Sequence, residues 1–366
     1  MKDYIPPLGT ASKDLDTPAL ILDLDIVEAN LQNMMAFFNS VPTTLRPHCK
    51  TVKSPDLTKK MLAAGAKGIC CAKLGEAEVM VDAGIHDILI TSQLVGPTKM
   101  QRLGDLLQRA PEVKVVVDSE ETIAQLSQMA QSRRLEVGTL LEVDTGMARC
   151  GTPMGQPSVA MALRIAHTKG LKFLGIQGYE GHLQHLHDLE EKRRRCLEVM
   201  KNLTETADMM RKAGLDVQIV STAGSGTAKI AGAYPGITEV QAGTFLVMDT
   251  AYKAAGAEYD FALTVLSTII SQPNPQTVII DAGLKTLSTD MGMAQAKGYD
   301  AEYYRPSEEH GRLKLNDPAI DLKVGDKVEL IPSHCCTTIN LHDRYYAVRN
   351  GKLEAIWPIS ARGKIQ

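Results

Sequence analysis

The sequence predicts an α/β fold, a TIM-like (β/α)8 barrel with a second, mostly β C-terminal domain. Three observations predict it. Eight short, apolar, β-branched runs alternate with helix-length stretches along the first part of the 366-residue chain. After about Ala254 the helical spacing fades, and strand-like runs separated by turns continue towards the end. The length suffices for one large domain or two ordinary ones. Parallel strands joined by helices that cover the sheet fit a closed barrel, whose active site gathers at the strands' C-terminal ends. An open doubly wound sheet would show the same alternation, but eight strands favour closure.

Taken in order, Thr17 to Asp25 reads as an extended apolar strand, and Ile26 to Phe38 carries apolar residues at helical spacing. Barrel strands are expected at Thr43–Lys50, Gly68–Lys73, Asp87–Thr91, Lys114–Asp118, Gly138–Asp144, Phe173–Gly181, Gln218–Ala223 and Glu239–Leu246. Helices are expected between most of them, at Ser54–Ala64, Glu76–Ala83, Thr98–Arg109, Glu120–Gln131, Pro157–Thr168 and Asp188–Ala213. In the second domain Phe261–Thr268, Thr277–Asp281, Lys327–Ile331, Arg344–Arg349 and Lys352–Trp357 read as strands, the last two joined at Asn350-Gly351. The barrel is assigned to residues 26–254 and the β-rich domain to 1–25 plus 255–366, the early strand Ala19–Asp25 joining the latter. No repeat, low-complexity tract or flexible linker stands out.

Composition excludes several classes of function. Forty Lys+Arg stand against 43 Asp+Glu, and the one short basic run, Lys192-Arg193-Arg194-Arg195, lies in a helical stretch as a solvated face, so no nucleic-acid partner is expected. The opening Met1-Lys2-Asp3-Tyr4-Ile5-Pro6-Pro7 lacks the apolar segment of a signal peptide, and no apolar stretch approaches the ~20 residues of a membrane span. The expectation is a soluble cytoplasmic protein with no membrane partner. Seven cysteines, an odd number that includes the adjacent pairs Cys70-Cys71 and Cys335-Cys336, argue against a secreted disulfide framework. They read as buried thiols, one of them a candidate metal ligand.

Chemistry is expected where strands end. In Arg46-Pro47-His48-Cys49-Lys50-Thr51 a strand delivers Lys50 to a loop, and a lysine whose amine is activated by desolvation or a nearby cation can form a Schiff base with an aldehyde cofactor. A solvated surface lysine is the bland alternative. Ser221-Thr222-Ala223-Gly224-Ser225-Gly226-Thr227 is a strand running into small residues and hydroxyls, which lets N–H and O–H groups approach a phosphate, although such a loop is also an ordinary turn. Gly243 and Thr244 end the next strand at the same rim, where such barrels bind phosphate. Arg149 follows the fifth strand as a fixed donor fork, and three of the nine histidines, His182, His185 and His187, follow the sixth. One of them is a candidate general base, against the alternative of a solvated polar loop. His334 and Cys336 are two apart, so on an extended backbone both point to one side, as two ligands of one metal would. Metal-free thiols packed beside a histidine are the alternative.

With these residues assembled, the chain resembles the fold-type III, alanine-racemase-like pyridoxal phosphate enzymes, and within them the metal-dependent D-threonine aldolase and D-serine dehydratase group. The resemblance runs from about Thr17 to Arg362. It rests on Pro-His-x-Lys-Thr at 47–51, Arg-Cys-Gly at 149–151, the loop at 221–227, Gln-Ala-Gly-Thr at 241–244, Asp-Ala-Gly-Leu-Lys at 281–285 and His-x-Cys at 334–336. It implies that Lys50 forms the Schiff base with pyridoxal 5'-phosphate, that Arg149 contacts the phenolic oxygen, and that Tyr179 lies against the cofactor. It implies further that Gly224, Ser225, Gly226, Thr227, Gly243 and Thr244 hold the phosphate. His334 and Cys336 would bind a divalent metal (Mn, Mg or Zn), and a homodimer would act on D-3-hydroxy amino acids. Tyr179-x-Gly181-x-x-Gln184-His185 and Trp357-Pro358-Ile359-Ser360-Ala361-Arg362-Gly363 look like the aldolase branch, in which His185 takes the β-hydroxyl proton. His334-x-Cys336 is more similar to the dehydratases, because aldolases usually carry His-x-Asp there. Retro-aldol cleavage is the first expectation, with dehydration to a 2-oxo acid and ammonia as the alternative. Racemization would leave His334 and Cys336 unexplained. A non-catalytic pyridoxal phosphate-binding protein is the rival from another class, but such single barrels lack the roughly 110 further residues present here.

Overall fold

The computed structural model describes residues 4–317 and 319–366; Met1-Lys2-Asp3, part of the signal-peptide reading, and Pro318 lie outside the described residues. The chain separates into two compact units, one of residues 33–50, 55–243 and 363–366, the other of residues up to 32, 51–54 and 244–362. No helix among the described residues is long and apolar enough to cross a membrane.

The first unit is the barrel. Its eight strands, Thr44–Leu45, Ile69–Cys71, Ile88–Ile90, Lys114–Val117, Val137–Asp144, Leu171–Gly178, Ile219–Thr222 and Glu239–Val240, pair in parallel and in chain order, the last returning to the first. An isolated parallel bridge between His48 and Cys70 closes the remaining gap, between the first two strands. The strands read as continuous apolar runs because helices cover their outer face. Side chains from six consecutive strands, Cys70, Leu89, Val116, Leu140, Leu174 and Ile219, pack as one apolar layer. The helices between strands start and stop on ordinary signals. Ser119 caps Glu120–Arg133, and Asp188 caps Leu189–Lys212, whose first turn is acidic and last turn basic, as the helix dipole favours.

Two barrel strands are shorter than their sequence suggests. The expected run Thr43–Lys50 ends as a strand at Leu45, because Pro47 has no N–H to continue the ladder. The expected run Glu239–Leu246 ends at Val240 and turns into a 3-10 turn at Thr244–Leu246. These short strands adjoin one another, and charge reinforces the seam between them. Arg46, 1% exposed, donates through Nε (2.9 Å) and Nη2 (2.8 Å) to the Glu239 carboxylate, itself 1% exposed. Its Nη1 reaches Asp87 Oδ1 at 2.9 Å, and Lys114 holds the same oxygen at 2.7 Å. Gly68 has no room for a side chain beside this cluster, since a Cβ would stand 2.2 Å from Arg46 Nη1.

The second unit is antiparallel β except where Ala19–Asp23 pairs with Arg344–Arg349 in parallel. Leu263–Asn274, Thr277–Ile280, Gly311–Leu315, Ala301–Tyr304, Gln295–Ala296 and Lys327–Ile331 pair in a ring that returns to the first of them. Ala19–Asp23, Arg344–Arg349 and Lys352–Pro358 extend it from the far side of Leu263–Asn274. Asn350 and Gly351 both hold positive φ, +50° and +70°, as a two-residue hairpin turn requires. The strands at 295–296, 301–304 and 311–315 were not expected, since residues such as Gln295, Glu302 and Lys314 interrupt their apolar pattern. The Asp-Ala-Gly-Leu-Lys segment is a structural tie: Asp281 accepts from Thr17 Oγ1 (2.6 Å), Ser267 Oγ (2.6 Å) and Thr268 N–H (2.8 Å).

Removing Glu239 leaves a buried guanidinium with the half-exposed Asp87 as its remaining carboxylate, and breaking a buried pair in this way costs about 3–5 kcal/mol. Glu239→Ala is therefore expected to lower the unfolding free energy by about that amount in denaturant titration. A loss below about 1 kcal/mol, typical of exposed pairs, would contradict the seam's role.

Candidate active site

Beyond Leu45 the chain remains fixed although it is no longer strand. Cys49 N–H donates to Cys70 O at 2.8 Å. Lys50 N–H meets His48 Nδ1 at 3.4 Å, so His48 carries its proton on Nε2, which points to Thr91 Oγ1 at 3.0 Å. Lys50 itself is half-buried, its Nζ 5.6 Å from the centroid of the Tyr179 ring. Arg149 stands 5.5 Å from the same centroid. One aromatic ring thus gathers the candidate covalent lysine and the candidate anion-binding arginine, both within cation–π range.

The Arg149 loop is held by backbone donors. Asp144 Oδ1 accepts from Gly146 N–H (2.9 Å) and Ala148 N–H (3.1 Å), with Ala148 at φ +53°. Asp118 Oδ2 accepts Gly151 N–H at 3.0 Å. Left-handed non-glycine residues also occur at Lys53, Ala223 and Met248, each in a loop that carries candidate site residues or lies within a few positions of one. Beneath the Arg149 loop Glu142 is buried, and Gln177 Nε2 donates to it. Gln177 Oε1 accepts from Gln241 Nε2 at 2.8 Å, and the same amide reaches Ser221 Oγ at 2.8 Å, linking three adjacent strands to the segment that follows the eighth. Burial pushes the Glu142 carboxyl up to about 8, against the pull of Gln177 and Arg149.

The glycine-rich loop packs against the segment after the sixth strand. Glu180, 0% exposed, accepts from Thr222 Oγ1 (3.0 Å), Ala223 N–H (3.2 Å) and Thr227 Oγ1 (2.5 Å). A Cβ on Gly224 would stand 2.8 Å from Gln184 Oε1, and one on Gly226 would stand 2.7 Å from Gln184 O. Glycine is needed for that approach. Ser225 and Thr227 are buried in the loop, and Gly243 and Thr244 are buried after the eighth strand. His185 is half-buried between the 3-10 turn Gly181–Leu183 and the helix Leu189–Lys212.

In the β unit His334 is the N-cap of a short helix, Cys335–Ile339, so the expected extended alternation does not bring His334 and Cys336 together. The helix does so instead, setting the thiol close enough to the imidazole to favour its protonation. His334 Nδ1 lies 2.7 Å from Asp290 Oδ2, and a carboxylate only accepts, so Nδ1 carries a proton; against the cost of burial, Cys336 and Asp290 raise the imidazole to about 9, and Nε2 becomes a ligand once its own proton leaves. A histidine ligand backed by a carboxylate is the usual second layer of a metal site. The Cys336 thiol points to Thr51 Oγ1 at 3.4 Å. No three His, Cys, Asp or Glu side chains converge as a cage among the described residues. An imidazole and a thiol fit a divalent ion that keeps its other positions for water or substrate. The half-buried lysine, the arginine at the same ring and the close-packed glycine loop likewise fit an aldehyde cofactor bearing a phosphate.

Sequence reasoning missed Glu180, Asp290 and Asp249, whose Oδ2 accepts Cys335 N–H at 3.0 Å. None of the three lies in a spacing pattern that pairs it with its partner. A carboxylate directly after Tyr179, facing a loop of hydroxyls, was the one available signal.

Comparison with known proteins places the whole chain. Residues 22–251 match the family described as alanine racemase, N-terminal domain, and residues 262–348 match the serine dehydratase domain family. The 3-hydroxy-D-aspartate aldolase of Paracoccus denitrificans is 37% identical over 98% of this chain and 96% of its own length. A D-threonine aldolase of an Arthrobacter species is 37% identical over 95% of this chain and 93% of its own. The crystal structure of D-threonine aldolase from Filomicrobium marinum superposes with a TM-score of 0.96 at 36% identity, covering 99% of this chain and 100% of that one.

The raised Glu142 value has a consequence for stability. Between 4.5 and about 8 the folded chain keeps a proton that the unfolded chain has released, so stability falls as pH rises through that window and levels off above it. Glu142→Gln removes this dependence. Its stability relative to the unsubstituted chain is expected to grow, by on the order of a few kcal/mol, as melting is followed up that window. A difference that does not change with pH would contradict a buried, protonated carboxyl.

Proposed function

The chain belongs to the alanine racemase N-terminal-domain family, and from that membership we propose a pyridoxal phosphate- and divalent-metal-dependent lyase that cleaves D-3-hydroxy amino acids to glycine and an aldehyde. The observation that carries the reading is the gathering of Lys50 and Arg149 at the Tyr179 ring, in a chain 37% identical to two aldolases along nearly its whole length.

When bound, the cofactor supplies an electron sink for the bond broken at Cα. Lys50 would hold the cofactor through its side-chain amine. Arg149 would donate to the cofactor's phenolic oxygen, and Tyr179 would line the cofactor. The loop of Gly224, Ser225 and Gly226, braced by Thr227, would hold the phosphate together with Gly243 and Thr244. His334 and Cys336 would hold the metal, with Asp290 on Nδ1 orienting the imidazole so that Nε2, once deprotonated, is the nitrogen that ligates. The thiolate leans towards zinc over magnesium or manganese. His185 takes the proton of the substrate's β-hydroxyl as the Cα–Cβ bond breaks. The active form is a homodimer, and a reducing, cytoplasmic compartment suits a chain whose seven cysteines are all free thiols.

A second reading is dehydration to a 2-oxo acid and ammonia, with Lys50 removing the α-proton. It is favoured by Cys336 at the metal pair and by the match of residues 262–348 to the serine dehydratase domain family.

Lys50→Ala is expected to abolish both the visible absorbance of the lysine-bound cofactor and turnover of D-threonine, whereas a fully active variant would remove the core of the reading. A chelator, or His334→Ala, should stop turnover while cofactor absorbance persists; unchanged activity would reduce His334 and Cys336 to a structural pair. His185→Asn should lose about 100- to 10,000-fold in kcat for an aldolase, the typical contribution of a general base. A loss below about tenfold would favour the dehydratase, in which Lys50 is the base.

A further inference from the structure

Proton accounting around the glycine-rich loop assigns a role to Glu180, which no part of the mechanism above uses. Gly226 N–H lies 2.9 Å from Gln184 Oε1, and a backbone N–H can only donate, which fixes the orientation of the Gln184 amide. Gln184 Nε2 is therefore a donor. It stands 2.8 Å from Thr227 Oγ1 and 3.2 Å from Glu180 Oε1. Thr227 Oγ1 accepts from that amide, so its single proton goes to Glu180 Oε1, 2.5 Å away. The Thr227 N–H is engaged too, by Gly224 O at 3.2 Å. On the other oxygen Glu180 accepts Ala223 N–H at 3.2 Å, with Ala223 at φ +70°, and Thr222 Oγ1 at 3.0 Å. Glu180, Gln184, Thr222 and Thr227 are each no more than 1% exposed.

We infer that Glu180 is a positioning residue for phosphate recognition: its carboxylate sets the shape of the loop 223–227 by accepting from four donors, and Thr227 acts as a strut of that loop rather than as a donor to the phosphate. The inference rests on the reading of the loop as the cofactor's phosphate site. Replacing Glu180 by glutamine keeps the shape but turns one oxygen into an NH2 group. That group would face either Ala223 N–H and Thr222 or Thr227 and the fixed Gln184 amide, a donor against donors on either side. Ala223 loses the acceptor that holds its left-handed conformation, or Thr227 loses its partner.

The test is equilibrium titration of the full chain, stripped of cofactor, with pyridoxal phosphate and in parallel with pyridoxal, which lacks the phosphate. Loss of one buried hydrogen bond of this kind predicts about a ten- to a hundredfold rise in Kd for pyridoxal phosphate in Glu180→Gln and in Thr227→Val. Pyridoxal affinity, set by Lys50 and the ring, is expected to be unchanged, and Thr227→Ser, which restores the hydroxyl, to bind as the unsubstituted chain does. Equal losses for both compounds would mean general damage to the fold and would overturn the inference, as would unchanged affinity for pyridoxal phosphate. Should Glu180→Gln yield no folded protein, the Thr227→Val and Thr227→Ser pair decides by the same ratio. An unsubstituted chain that binds pyridoxal but gains nothing from the phosphate would overturn the loop's reading and this inference with it. One that binds neither would overturn the cofactor reading itself.

Discussion

The buried ion pair between Arg46 and Glu239 is the interaction on which the barrel's working end depends. A barrel must close, and here closure falls on its two shortest strands, Thr44–Leu45 and Glu239–Val240. Two residues of ladder are little to hold a seam, and Pro47 forbids more on one side. A guanidinium with two parallel bonds to one carboxylate, and a third to Asp87, adds directional ties to a seam whose few backbone bonds include Arg46 N–H to Val240 O and His48 N–H to Ala242 O. Lys50 lies four residues beyond Arg46. Its position follows from that seam and from the pairing of Cys49 and His48 with the second strand, not from a long strand of its own.

A recurrent device at the candidate site is a side-chain carboxylate that collects backbone or hydroxyl donors and fixes a loop in a conformation its sequence alone would not choose. Asp144 does this for the Arg149 loop, Glu180 for the glycine-rich loop, and Asp249 for the helix that starts after His334. Positive φ at Ala148 and Ala223 shows where such conformations cost energy. Fixed loops of this kind position an arginine and a phosphate cradle before any ligand arrives, which lowers the ordering cost of binding.

The barrel was legible in the sequence because its signal is redundant: runs such as Ile88-Leu89-Ile90 and Lys114–Val117, each followed by a helical stretch, repeat the same statement eight times over. Strand ends were not legible at Lys50 or Leu246, since a β-prone run gives no account of where a neighbour stops pairing. In the β unit Gln295–Ala296 and Ala301–Tyr304 escaped notice because short, polar strands are held by their partners rather than by their own pattern. At the site, Lys50, Arg149, His334 and Cys336 stood out as reactive types next to strand ends. Asp290 and Glu180 did not, because their roles depend on partners 44 and 47 positions away. The spacing argument for His334 and Cys336 named the pair but mistook the geometry, a helix start instead of an extended segment.

An aldolase and a dehydratase built on this site differ in which bond at the substrate breaks, so the products decide between them. The direct measurement is product analysis of the purified chain, supplied with pyridoxal phosphate and a divalent metal, acting on D-threonine, with D-serine and D-threo-3-hydroxyaspartate in parallel. Glycine and an aldehyde in equal amounts are the predicted result. Ammonia with a 2-oxo acid, and no glycine, would contradict it.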